Sequence, residues 1–211
     1  MQSKHWIAWN LFLACVPVVL AYLIAAGAQR FTLQRKQIPW FAWLLPGLLW
    51  FAFLPNSCYL FTEWRHFLFD WPFTEVRSSG ANGEAMIQTA KQGLVFLLYS
   101  VTGIVSFALS IRPIHRLLRQ GRFRPAFLAP PFFFLVSLGV WLGLVLRLNS
   151  WDMFRHPLFI LVRAAEALEN FRLLKILILF AGVLWLLYLI VDIWVDGLKQ
   201  RIELARKMQT E

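Results

Sequence analysis

The chain has 211 residues, of which 59% are hydrophobic and only 15% charged, with 20 Phe and 11 Trp. A soluble domain carries about 25% charged residues and, at this length, has too little interior to hide so much apolar surface. The formal net charge of +10 sits in short loops between apolar runs, where it reads as a membrane-orientation signal; no nucleic-acid partner is expected.

Apolar runs near the length of a bilayer crossing recur along the chain, and each reads as a transmembrane helix. The runs are continuous rather than alternating, which excludes a barrel. The expected fold is all-α: one integral-membrane domain over 1–211, a polytopic membrane protein with about five transmembrane helices plus an interfacial amphipathic helix after the second span. The bilayer is the expected partner.

The first span covers 6–28. Ala26-Gly27-Ala28 has the small-x-small form of a signal-peptide cleavage site, so a cleaved leader is the rival reading. Arg30, Arg35 and Lys36 follow directly and resist translocation, which favours a retained span. Pro17 should bend it. The second span covers 38–60 and holds Pro39, Pro46 and Pro55. Pro39 sits where a missing N–H matters little. Pro46 and Pro55 suggest a broken helix, with Asn56 and Ser57 placed to satisfy the freed carbonyls.

Residues 61–92 form an outer connection. Its first part places Trp64, Leu68 and Trp71 on one side of a helix and Glu63, His66 and Asp70 on the other, the pattern of a helix lying in the headgroup layer. The third span covers 93–111, and a basic hairpin without acids follows over 112–125. The fourth span covers 126–146. Its Gly139 and Gly143 form a GxxxG, which allows two helix backbones to approach closely. A second outer connection covers 147–172, the fifth span 173–195, and a basic tail 196–211. Cys15 and Cys58 fall at different depths, which argues against a disulfide between them.

Lys and Arg set topology, and acids matter little. The acid-free loop after the first span, the basic hairpin and the tail are therefore expected on the cytoplasmic side. The N-terminus then lies outside and the C-terminus inside. Both long connections lie outside, and a knot of polar residues stands where each leaves its span. The first is Asn56, Tyr59, Thr62, Glu63 and His66; the second is Arg147, Asn149, Ser150, Trp151 and Asp152. If the knots meet, they form one outward-facing pocket.

Three chemistries fit these residue types. Asn56, Tyr59, Thr62, Arg147, Asn149, Ser150 and Trp151 supply hydrogen bonds, a cation and aromatic surface for a polar or anionic ligand, such as an envelope-lipid headgroup. His66, Glu63 and Asp152 offer an acid–base set. The same three could hold a divalent metal, since Glu-x-x-His places two ligands on one helix face. The bland alternative is a solvated polar face on an interfacial helix, with Tyr59 and Trp151 as interface anchors. Ser57, Cys58 or Ser150 as a nucleophile lacks any local motif such as G-x-S-x-G.

At these two knots the sequence resembles a bacterial integral-membrane family catalogued as domain of unknown function 1361. The shared pattern is Leu54, Pro55, Asn56 and Tyr59 leading to Thr62 and His66, then Arg147, Asn149, Ser150, Trp151 and Asp152. Glu63 stands where the family usually has Asp, and Ser57-Cys58 stand where Ala-Pro is common. The resemblance implies a multi-pass protein of the bacterial plasma (inner) membrane and a joint role for the two knots. It implies no activity. A non-catalytic scaffold or assembly factor, and after it a small transporter, are the alternatives to a ligand pocket.

Overall fold

The computed structural model describes residues 3–33, 39–62, 83–120, 125–146 and 152–209. All regular structure among them is helical: α1 (Ser3–Leu33), a 3-10 turn (Trp40–Trp43), α2 (Leu44–Thr62), α3 (Gly83–Gln120), α4 (Pro125–Leu146), α5 (Asp152–Arg155), α6 (Pro157–Glu169) and α7 (Phe171–Met208). Five of these, α1 to α4 and α7, are long and apolar enough to cross a membrane.

Side-chain contacts give the direction of each helix. Ser57 of α2 touches Ala14 of α1, and Trp43 meets Gly27, so α1 and α2 are antiparallel. Leu60 packs on Gly103 of α3, while the Trp50 indole donates to the Ser110 carbonyl at 2.9 Å, so α2 and α3 are antiparallel too. Ser137 of α4 donates to the Leu177 carbonyl of α7 at 2.9 Å, and Phe133 meets Trp185 and Tyr188, again antiparallel. The pairs Arg112–Asp192 and Arg116–Asp196 step in the same sense, so α3 and α7 are parallel. The result is an up–down bundle. α2 and α4 finish at the end where α1, α3 and α7 begin.

The helices outrun the spans expected from hydropathy. α3 has 38 residues, about 57 Å at 1.5 Å per residue, against a hydrocarbon core of roughly 30 Å. It takes in 83–92 of the expected outer connection and 112–120 of the expected hairpin. α7 likewise runs through the expected tail without a break. Hydropathy stops at the membrane surface. Helix hydrogen bonds do not, and residues such as Glu, Gln, Lys and Arg are good helix formers.

α2 is continuous across both internal prolines, which corrects the broken-helix expectation. Pro46 falls in the first turn, where its lost N–H has no partner to lose. Pro55 is buried and helical, and Ser57 donates to Ala14 of α1 at 3.3 Å rather than to its own helix. The expected interfacial helix over 61–71 falls, beyond Thr62, outside the described residues. An amphipathic helix does occur after α4. α6 buries Ala167 and packs Ile160 and Ala164 against Leu138, Leu142 and Leu177, leaving Arg163 and Glu166 paired on its surface at 2.8 Å. Asn170 then starts α7, its side chain accepting from the backbone N–H groups of Arg172 and Leu173.

The core forms where small residues let helices approach. Ala14, Pro17 and Ala21 of α1 are fully buried, and Leu54, Cys58, Phe107, Val136, Val140 and Leu184 fill the interior between α2, α3, α4 and α7. Cys15, one residue from buried Ala14, is exposed, while Cys58 is buried.

Candidate functional site

The end of α2 carries the first polar knot. Asn56, Ser57 and Cys58 are buried side by side with Leu54, Pro55 and Leu60. Burying a polar run of this kind inside a bundle is costly unless partners are supplied, and Ser57 finds one on α1. The Thr62 hydroxyl donates to the Tyr59 carbonyl at 3.1 Å, closing the last turn.

Three glycines grip this segment. A Cβ at Gly103 of α3 would stand 2.6 Å from Leu60 Cβ and 2.9 Å from the Ser57 carbonyl oxygen. A Cβ at Gly139 of α4 would stand 2.9 Å from Pro55 Cγ, and one at Gly143 would overlap the Tyr59 hydroxyl. The GxxxG of α4 therefore packs within this chain, against Pro55 and Tyr59 four residues apart on α2. The order Pro55–Gly139, Tyr59–Gly143 makes α2 and α4 parallel. They also end level: Thr62 lies three residues beyond Tyr59, and Leu146 three beyond Gly143.

Glu63 and Arg147 are the next residues in the chain. They, His66, Asn149, Ser150 and Trp151 lie outside the described residues, and Asp152 opens α5 with its side chain likewise outside. Of the expected site, the structure therefore brings together Asn56, Tyr59 and Thr62 on one helix end beside α4. No three His, Cys, Asp or Glu side chains gather as a metal site among the described residues; the expected metal set of His66, Glu63 and Asp152 is not among those side chains. Ser100, buried at the same end of α3, has a hydroxyl without a hydrogen-bond partner among the described residues.

The opposite end holds an arrangement that the sequence reading missed. Arg112 of α3 is buried, with 4% of its side chain exposed. Its guanidinium donates to Asp192 of α7 at 2.6 Å and to Asp196 one turn on. Arg116 joins Asp196 at 2.7 Å. Beside this cluster, His115 Nδ1 and the Tyr188 hydroxyl share a hydrogen bond of 2.7 Å. The available signal was Asp192 and Asp196, four apart at the end of the last apolar run, facing a hairpin rich in arginine. Acids counted only for orientation concealed it.

A cavity of about 850 Å³ opens next to that pair, between α3, α4 and α7, with Trp50 of α2 at its base. Its walls are aromatic: Trp50 stacks on Phe132 at 5.9 Å, and Phe133 meets Phe107, Trp185 and Tyr188.

The fold and these two ends define the class: an all-helical protein with several membrane-crossing helices. The family model described as "Protein of unknown function (DUF1361)" matches residues 9–187, and the chain belongs to that family. No curated protein and no solved structure matches it.

Proposed function

We propose that this protein crosses the plasma membrane of a bacterial cell five times, with its N-terminus outside and its C-terminus in the cytoplasm. At the outer surface, Asn56, Tyr59, Thr62, Glu63, His66, Arg147, Asn149, Ser150, Trp151 and Asp152 form one pocket for a polar or anionic ligand, an envelope-lipid headgroup being the best fit. His66, Glu63 and Asp152 are the groups for any proton transfer there.

One observation carries this reading. α2 and α4 are parallel, touch at Tyr59 and Gly143, and end level, so both polar segments leave the bundle from adjacent points. The Ser100 hydroxyl at the same end, buried without a hydrogen-bond partner among the described residues, adds support, since such atoms mark places where water or ligand belongs. Arg112 to Gln120 and the basic end of α7 lie at the other end, which is the cytoplasmic one by the distribution of Lys and Arg.

Lipidomics of cells lacking the gene tests this, with complementation by wild type, His66→Ala or Arg147→Gln. One class of anionic envelope lipid should change several-fold on deletion and recover with wild type but with neither variant. Recovery with both variants would favour a scaffold. The tight glycine contacts at Gly103, Gly139 and Gly143 fit that second reading. Transport is less favoured, because α2 is an unbroken helix.

A further inference from the structure

The cavity between α3, α4 and α7 lies at the other end of the bundle from the pocket proposed above. We infer that it is a binding site for an anionic single-chain or two-chain lipid of the cytoplasmic leaflet, with an acyl chain in the aromatic chamber and the phosphate at Arg119.

Size and lining suit an acyl chain. The volume of about 850 Å³ falls in the range of roughly 300–1,000 Å³ usual for small-ligand sites. The lining is aromatic and aliphatic, with Trp50, Phe132, Phe133 and Tyr188 forming the inner walls. Phe127, Leu128, Leu135, Trp185 and Leu189 also line it and are exposed, at 76%, 46%, 50%, 38% and 39%. These residues lie on membrane-crossing helices, so the cavity opens sideways to lipid rather than to water.

Charge fixes the kind of lipid. Arg112, His115 and Arg119 recur at three- and four-residue steps, one face of α3. Arg112 and Arg116 are neutralised by Asp192 and Asp196. Arg119, which lines the cavity, has no carboxylate within ion-pair distance among the described residues. His115 spends Nδ1 on Tyr188, and its Nε2 has no protein partner among the described residues. One cavity thus joins an apolar chamber to a guanidinium and a ring nitrogen that have no partner among the described residues. That combination matches a phosphate head above a hydrocarbon tail. A neutral amphiphile leaves the guanidinium unpaired, and free phosphate leaves the chamber unfilled.

The test is photolabelling of the purified full-length protein in nanodiscs with a phosphatidic acid that carries a diazirine in its acyl chain. Adducts mapped by mass spectrometry should concentrate between Phe127 and Leu135 and between Trp185 and Leu189. Unlabelled phosphatidic acid should reduce them at least fivefold. Equal amounts of phosphatidylcholine or inorganic phosphate should leave them within twofold. Arg119→Gln should lower labelling several-fold, as should Ala129→Phe, which narrows the chamber. The lipid competition needs no variant and stands if either substitution fails to fold. Adducts spread evenly along α1 and α7, or equal competition by phosphatidylcholine, would mean ordinary surrounding lipid and overturn the inference. Because labelling is read at this end alone, its result is independent of the outer pocket.

Discussion

The hydroxyl of Tyr59 on α2 occupies the space in which a Gly143 side chain on α4 would begin. That contact holds two parallel helices together one turn before both end. It leaves no room for a side chain at Gly143. Gly143→Ala should lower stability by about 1–3 kcal/mol, the usual cost of overpacking, measured by unfolding in mixed detergent. Tyr59→Phe removes the overlapping hydroxyl, so the double variant should recover part of the loss, a coupling readable in a double-mutant cycle. Gly182→Ala in α7 has open space around it and should gain up to about 1 kcal/mol from helix propensity.

The Arg112 cluster predicts a second asymmetry. Arg112 is 4% exposed and Asp192 22%, whereas Arg116 and Asp196 are each 47% exposed. Breaking a buried ion pair costs about 3–5 kcal/mol, because one charge is left buried. Asp192 keeps some contact with solvent, so Arg112→Ala should cost about 2–3 kcal/mol in the same assay. Arg116→Ala should cost under about 1 kcal/mol, as exposed pairs do. Equal losses from the two would contradict the buried placement of Arg112.

Orientation has a direct test. Alkaline phosphatase folds into an active form only outside the cytoplasm. Fused after residue 75, within the first long connection, it should be active; fused after residue 122 or after Met208, it should be inactive. The reverse pattern would invert the topology and move the polar knots to the cytoplasm.

Packing of α1 makes a fourth prediction. Ala14 and Ala21 are fully buried, and Ser57 donates to the Ala14 carbonyl. Ala14→Leu should force α1 away from α2 and cost about 1–3 kcal/mol. Cys15→Leu, one residue along and exposed, should stay within about 0.5 kcal/mol. The contrast is read by thermal unfolding of the two purified proteins.

Hydropathy made five spanning helices legible, because twenty apolar residues in a row have few other fates. It did not reveal where helices end. Gln120 and Met208 lie well past the apolar runs, and nothing in an apolar count marks a helix continuing beyond them. Gly139 and Gly143 announced a close contact, but only the structure identifies Pro55 and Tyr59 as the partners. α6 was hidden inside a stretch read as a connection, since its apolar run is short and Arg163 and Glu166, which lie on its exposed side, interrupt it in the sequence. Arg112 was missed for a different reason: its partners Asp192 and Asp196 lie some eighty positions away, and a buried pair is set by helix register across the bundle. Asn56, Tyr59 and Thr62 were legible as a polar helix end, and their neighbourhood with α4 was not.

The proposed pocket requires the polar segments after Thr62 and after Leu146 to face each other outside the membrane. Cysteine cross-linking tests it most directly, with His66→Cys and Asp152→Cys introduced together into protein lacking Cys15 and Cys58. A short membrane-permeant bifunctional thiol reagent should join them in intact cells as efficiently as a control pair of cysteines at Arg116 and Asp196, an exposed ion pair that bridges α3 and α7 at 2.7 Å. Efficient linkage of the control pair with none between 66 and 152 would place the two segments apart and remove the pocket.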